Sequence, residues 1–345
     1  MTIRVIIVED SPTMRAILMS RLSRENDIEV VATAANALEG RELIRQFDPD
    51  VVTLDIEMPG MNGLDFLDKI MALRPTPVII ISGATQTGAA TTAEALARGA
   101  VACYAKPQSG EAFAGDGRLV DLIREAAQVR FARAGGAPVA APPPPPAPRR
   151  LGQPPRMIAI GASTGGVEAL HAVLGAFPAD CPPTLVVQHV NARFAPSIAQ
   201  SLDQACAPRV MVAEPDLPLR AGHVYLAPGD HRHLTVGGGA RPGGPLHIRL
   251  RPGAPIAGHV PSVDALFLSV AERLGPEAAG ILLTGMGADG AQGLLAMHRA
   301  GAFTIAQDEA TSTVFGMPRA AIALGAAAVI APLTGIPEQL FRMAA

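Results

Sequence analysis

The chain has 345 residues, 49% of them hydrophobic, and a formal net charge of −3. That length suits two domains with ample apolar bulk, and the near-neutral, slightly acidic balance gives no electrostatic case for a nucleic-acid binder. No apolar run reaches the roughly 18 residues of a membrane span, and Met1-Thr2-Ile3-Arg4-Val5 lacks the form of a secretory signal, so a soluble cytoplasmic protein without direct membrane insertion is expected. Cys103, Cys181 and Cys206 have neither metal-binding nor C-x-x-C spacing and suit buried thiols in a reducing compartment.

Residues 3–8 are nearly all apolar and β-branched, as in a strand covered on both faces. Glu9-Asp10 follow at once, and Ser11-Pro12 open an amphipathic helix over 14–22. A second strand is predicted over 28–34, a helix over 37–46, and a buried strand over 51–54 that ends at Asp55. A fourth strand, 77–81, ends at Ser82; a helix near 91–98 precedes a fifth strand, 100–104, and then Lys106-Pro107. A helix over 119–128 closes the set. Strands alternating with helices build a doubly wound, five-stranded parallel sheet, and such sheets bind ligands at the carboxyl ends of their strands.

That rule gathers Glu9, Asp10, Asp55, Ser82 and Lys106 at one edge. Carboxylates held together repel, and an oxygen-ligated divalent cation such as Mg²⁺ relieves the repulsion. The same cation and Lys106 can neutralise a phosphoryl group on Asp55. For any single acidic pair, a solvated loop cluster is the alternative. Glu9-Asp10, Asp55 with Met58-Pro59-Gly60-Met61-Asn62-Gly63, Ser82 and Lys106-Pro107 resemble the receiver domain of bacterial response regulators. The resemblance implies that Asp55 accepts phosphate from a histidine kinase, that Glu9 and Asp10 help Asp55 to hold Mg²⁺, and that Ser82 and Lys106 contact the phosphoryl group. Where receivers often carry an aromatic switch residue, three before the lysine, this chain has Cys103, with Tyr104 beside it.

Residues 129–156 are Pro-rich, with five consecutive prolines at 142–146, and read as a passive extended tether between a domain at 1–128 and another at 157–345. The second domain opens with an apolar strand over 157–160, a Gly-rich turn over 161–166 and a helix over 167–174. A strand at 184–187 runs into Gln188-His189, and a helix follows at 194–203. Short strands are predicted at 208–212, 222–226, 233–236 and 246–250, the last two paired as a hairpin across the loop 237–244. Ser262 can cap a helix over 263–274. A buried strand over 279–283 precedes the glycine-rich run 284–290, which ends in Asp289-Gly290. A helix at 293–300, a strand at 302–306 and a short helix after Pro318 complete a mainly parallel, Rossmann-like sheet.

Gly161-x-Ser163-x-Gly165 fits the nucleophile-elbow pattern, with helix N–H groups ready for an anion. A phosphate-binding or merely tight turn would look the same. His189 and Asp289, however, lie at comparable strand ends, where a His can take the serine proton and a carboxylate can fix the His tautomer. Taken singly, His189 is also readable as an ordinary half-buried histidine and Asp289 as a turn carboxylate. The chain order Ser…His…Asp is not that of α/β-hydrolases. His231 and His233 could be taken for a metal pair, but no third ligand is evident.

The segments 161–166, Gln188-His189, Leu226-Ala227-Pro228-Gly229, His259 with Pro261-Ser262-Val263-Asp264, and 283–290 together resemble the chemotaxis protein-glutamate methylesterase family (CheB). That resemblance implies a catalytic triad of Ser163, His189 and Asp289, with an oxyanion hole from backbone donors near Thr164 and Met286. It implies a phosphorylation-regulated hydrolase that needs no cofactor for its own chemistry. Its substrates would be glutamate methyl esters, and glutamines, of methyl-accepting chemotaxis receptors, and its phosphodonor a histidine kinase of the CheA type. Val190-Asn191 after the His, and Val260 where family members usually carry Arg, are less typical. Two alternatives belong to other classes. One is a receiver-controlled binding module without catalysis. The other, a DNA-binding regulator, sits poorly with a second domain that contains no lysine.

Overall fold

The computed structural model describes residues 2–58, 63–83, 85–106, 117–129, 154–238 and 244–341. It divides into two compact units, Met1–Phe131 and Ala132–Ala345. The expected Pro-rich tether lies almost wholly outside the described residues, as do Pro107 and positions 59–62 of the first motif. No described helix is long and apolar enough to cross a membrane.

In the first unit, β1 (Ile3–Val8), α1 (Pro12–Leu22), β2 (Ile28–Ala34), α2 (Ala37–Phe47), β3 (Val51–Asp55), α3 (Gly63–Leu73), β4 (Val78–Ser82), α4 (Gln86–Ala97), β5 (Ala102–Ala105) and α5 (Arg118–Ala126) follow in order. The strands form one parallel sheet, β2-β1-β3-β4-β5. Every residue of β3 and β4 is buried, which is why both are mostly apolar until the polar residue that ends each strand. Helix starts are fixed by side chains: Ser11 accepts the Met14 N–H ahead of α1, and Asn36 accepts the Glu39 N–H ahead of α2. Glu39 bonds back to the Ala35 N–H at 2.7 Å. Helix α3 was not among the expected elements. Chain order reverses between β1 and β3, so the ends of these two strands border the crevice where such a sheet takes its ligand.

The second unit begins with β6 (Met157–Ala162), α6 (Gly166–Leu174), β7 (Thr184–Gln188), α7 (Ala195–Ala205), β8 (Arg209–Val212) and β9 (His223–Leu226). A hairpin of β10 (Arg232–Gly238) and β11 (Leu246–Pro252) follows, paired antiparallel. Then come α8 (Val263–Leu274), β12 (Ala278–Leu282), α9 (Ala291–Arg299), β13 (Phe303–Gln307), α10 (Met317–Ala323), β14 (Val329–Ala331) and α11 (Ile336–Phe341). Seven parallel strands are ordered β14-β13-β12-β6-β7-β9-β8. The hairpin was expected; β14 and α11 were not. One contiguous core includes Met157, Leu185, Phe267, Leu294 and Met297, all wholly buried. Burying a side chain such as Phe267 contributes roughly 1.5–3 kcal/mol. A Cβ on Gly161 would lie 2.2 Å from Val263 Cγ1. The bare backbone of β6 thus lets the first turn of α8 sit directly against the strand end.

Candidate active site

Strands β7, β6 and β12 end side by side. The register pairs Ala162 with Gln188 and Gly161 with Leu282. Ser163 and His189 are therefore the next residues out on adjacent strands, about 4.8 Å apart in the hydrogen-bonding direction. The frame is closed by backbone bonds: His189 N–H donates to Ala162 O at 3.1 Å, and Ser163 N–H to Thr284 O at 3.0 Å. Gln188 Nε2 donates to Ser163 O at 2.8 Å. Gly166 N–H closes the turn onto the same oxygen at 2.7 Å. At the turn's centre Gly165 has φ +73°, and a Cβ there would fall 2.4 Å from Thr313. Both facts require glycine.

Asp289, 1% exposed, lies beyond the end of β12. Its Oδ2 accepts from His189 Nε2 and from the Val263 N–H, each at 2.8 Å. Its Oδ1 accepts from Ser262 Oγ at 2.7 Å and the Asp264 N–H at 3.0 Å. Four donors thus saturate the carboxylate, and two are backbone groups from the first turn of α8, where the helix dipole also favours a negative charge. Burial by itself would raise the Asp289 carboxyl. The bonds from His189, the Asp264 N–H and Ser262 outweigh burial and hold it below its ordinary value. An ionised Asp289 makes His189 Nε2 the protonated nitrogen and leaves Nδ1 with a free lone pair. Nδ1 is buried and makes no hydrogen bond, so the Ser163 hydroxyl is not bonded to it here. In sites of this kind that bond often tightens only when substrate is present.

The 284–287 segment covers the other side of Ser163. Thr284 is pinned by its N–H to Gln307 Oε1 at 2.7 Å and by its hydroxyl to Thr164 O at 3.0 Å. A Cβ on Gly285 would lie 2.3 Å from Met317 Sδ and 2.7 Å from Ser163 Cβ. Thr164, directly after the serine, and Met286, directly after Gly285, therefore present their backbone close to Ser163. Gly285→Ala is expected to push Ser163 aside and to lower kcat by on the order of 10²-fold. The overpacking should also destabilise the unit by about 1–3 kcal/mol. Steady-state kinetics and a melting curve on the purified variant check both effects.

The site also contains motif residues to which the sequence reading assigned no part in the chemistry. His259 stacks on His189 with ring centroids 3.8 Å apart and planes 8° from parallel. Ser262 was expected as a helix cap, and it does accept the Ala265 N–H, but its hydroxyl also donates to Asp289. Asp264 accepts the Gly293 N–H at 2.6 Å and clamps the start of α9 to α8. His233 is not half of a metal pair. Its Nδ1 accepts the Ser262 N–H at 3.1 Å and its Nε2 donates to Ala254 O at 3.0 Å, which occupies both ring nitrogens.

In the first unit, Glu9, Asp10 and Asp55 each offer a carboxylate oxygen, all within 4.8 Å of one another. Lys106 Nζ lies 2.6 Å from Asp55 Oδ2 and 2.9 Å from Glu9 Oε2. The contact to Glu9 is one of charge, because Oε2 lacks an aligned hydrogen bond and is buried. Burial pushes the Glu9 carboxyl up to about 7; Lys106 opposes this rise and the Asp55 charge adds to it. For Lys106, burial disfavours the ammonium, but the bond to Asp55 and the close Glu9 carboxylate outweigh it and raise its pKa. The Glu57 N–H donates to Asp55 Oδ1 at 3.0 Å. Ser82 lies one residue past Ile81, the register partner of Asp55, and its hydroxyl donates to Gly88 O at 3.2 Å. Tyr104 is 4% exposed and its neighbour Cys103 half-buried.

Comparison with known proteins agrees with this division. A family model described as CheB methylesterase matches residues 158–340, and one described as response regulator receiver domain matches residues 5–114. The protein-glutamate methylesterase/protein-glutamine glutaminase of Rhizobium etli is 50% identical over 342 residues, covering 99% of this chain and 96% of that protein. A protein of the same name from Caulobacter vibrioides is 47% identical and covers 99% of this chain and 98% of its own length. Among solved structures, the CheB methylesterase catalytic domain of Thermotoga maritima matches with a TM-score of 0.51 and 34% identity, covering 53% of this chain and 96% of that one.

Proposed function

This chain belongs to the CheB methylesterase family and carries a response regulator receiver domain, and on that premise we propose that Ser163, His189 and Asp289 hydrolyse glutamate methyl esters, and deamidate glutamines, on methyl-accepting chemotaxis receptors. The observation that carries the assignment is the His189–Asp289 bond, which leaves a buried, unbonded Nδ1 on the residue that the sheet register sets opposite Ser163. A turn that only bound phosphate or a metabolite would have no use for that pair. The hydrolytic function is assigned to residues 157–345, control to 1–128, and the connection between them to 129–156.

In the reaction, Ser163 Oγ attacks the side-chain ester carbonyl of the receptor glutamate as its proton passes to His189 Nδ1. The imidazolium is held by Asp289. The carbonyl oxygen becomes an anion that accepts from the Thr164 and Met286 N–H groups; one such donor is worth on the order of 10²–10³ in rate. Collapse breaks the C–O bond to the methoxy group, which takes the proton from Nδ1 and leaves as methanol; from glutamine the leaving group is ammonia. A water then gives its proton to Nδ1 and attacks the acyl carbon. Ser163 leaves with that proton, freeing the glutamate.

Control rests on Asp55, which takes a phosphoryl group from a histidine kinase of the CheA type in the cytoplasm. The acidic corner fits Mg²⁺: all its donors are oxygens, and Glu9 Oε2 is a buried carboxylate atom without an aligned bond of its own. Glu9, Asp10 and Asp55 would hold the ion, which when bound offsets phosphoryl charge. Lys106 orients the carboxylate of Asp55 through its 2.6 Å contact with Oδ2, and Ser82 can turn its hydroxyl from Gly88 O to a phosphoryl oxygen. The test is methanol release from methylated receptor membranes with and without a small phosphodonor plus Mg²⁺. The donor should raise release by the unmodified protein by on the order of tenfold. Asp55→Asn should abolish that increase, and an increase that survives the substitution would move control elsewhere.

A further inference from the structure

His259 is brought to the site by a two-residue turn. Ile256 and His259 exchange backbone bonds of 2.9 and 3.1 Å, and the residues between them, Ala257 and Gly258, have φ +50° and +84°. Positive φ at both central residues is the mark of the tight hairpin turn whose twist suits its flanking strands. A non-glycine residue held in that conformation is uncommon. The turn is exposed on all sides as far as Gly258, and only then does the chain dip inward and lay the imidazole of His259 flat on that of His189.

We propose that His259 is a positioning residue for the general base. This rests on the reading that Ser163 and His189 do the chemistry. The bond to Asp289 fixes one corner of the His189 ring, Nε2, and leaves the plane free to swing about that corner. A second ring at 3.8 Å, 8° from parallel, removes the swing and holds Nδ1 toward the end of β6 where Ser163 stands. The stack also suits the charge that appears during catalysis. Neutral aromatic rings favour offset or edge-to-face contact over a flat stack, whereas a cation over an aromatic face is attracted to it. A flat contact is thus most favourable when His189 has just taken the serine proton. His259 need not touch the substrate or exchange a proton to do this.

The test compares His259→Ala, His259→Phe and His259→Leu in the full chain, with methanol release from methylated receptor membranes as the assay. His259→Ala should lower kcat by about 10–100-fold, the cost of a loosely held catalytic group, with KM changed by less than about twofold. His259→Phe should recover most of the loss, because it keeps a flat aromatic face. His259→Leu, similar in bulk but without a π face, should not. Unchanged kcat in His259→Ala would overturn the proposal, as would a rise in KM alone, which would make His259 a substrate contact. Equal activity of the Phe and Leu variants would reduce the residue to a space filler. Should His259→Ala fail to fold, the Phe and Leu pair decides the matter, since both fill the space. Loss of methanol release in Ser163→Ala is measured in parallel. If release did not depend on Ser163, the underlying reading would fail first, whatever the His259 variants do.

Discussion

Ser163→Ala should lower methanol release from methylated receptor by roughly 10⁴–10⁶-fold, the range over which removing a serine nucleophile acts when its base and carboxylate remain. The size follows from the site. Deleting one oxygen removes the attacking atom and leaves the N–H donors and the His189–Asp289 pair aimed at nothing. What survives is the binding and oxyanion contribution, on the order of 10³–10⁴ over water. The fold should hardly change, because the bonds recorded for Ser163 use its backbone: the N–H to Thr284 O, and the carbonyl shared by Gly166 and Gln188. Melting temperature should stay within a few degrees, and Asp55 should take phosphate as before. Parallel assays of methanol release and of Asp55 phosphorylation check the claim. Release within tenfold of the unmodified protein would remove Ser163 from the role of nucleophile.

Asp289→Asn should be nearly as severe, lowering kcat by about 10⁴-fold. All four contacts of the carboxylate are donors: His189 Nε2, the Val263 and Asp264 N–H groups, and Ser262 Oγ. An amide offers one acceptor oxygen and one NH₂. If the oxygen faces Ser262 and Asp264, the NH₂ meets the Val263 N–H and forces His189 to turn its unprotonated nitrogen inward. Nδ1 then carries the proton and cannot take one from Ser163. If the amide flips, two donors collide at Ser262 and Asp264. Stability should fall too, by about 2–4 kcal/mol, since a helix start loses its anion and a buried donor its acceptor. Kinetics and denaturant unfolding on one preparation separate the two losses. A kcat within tenfold of the unmodified protein would mean that the carboxylate does not set the imidazole tautomer.

The acidic corner was legible because apolar strands end abruptly in charged residues: 3–8 into Glu9-Asp10, and 51–54 into Asp55. The same contrast marked Ser163 and His189 as strand-end residues, and the parallel-sheet rule placed them on one edge. Helix α3 begins on Gly63, the last residue of the motif 58–63, so its start is hidden in the sequence behind that motif. Its buried positions, Leu64, Phe66, Leu67 and Ile70, keep helical spacing, so the body of the helix was within reach of the sequence. Strand β14 has three residues, too short for any period to show. His259 was beyond reach for another reason. Nothing in its neighbours' polarity says that a tight turn four residues long will aim it at His189, some seventy positions earlier. Ser262 was visible as a cap, yet its hydroxyl's donation to Asp289 depends on where the 283–290 run returns in space. Local chemistry is written in neighbouring residues; a contact between loops is decided by the strands that carry them.

The position of β6 between β7 and β12 bears on how the protein is made. His189 and Asp289 are 100 residues apart, so the nucleophile's strand leaves the ribosome long before the strand that completes its surroundings. Until β12 docks along β6, the carboxylate has no helix start to sit on and the imidazole no fixed tautomer. Esterase activity should therefore appear late in synthesis and all at once, and a stalled chain ending before β12 should be inert toward receptors however well its first unit has matured. Distant pairing of this kind folds slowly, so the site is the last part of the unit to be completed.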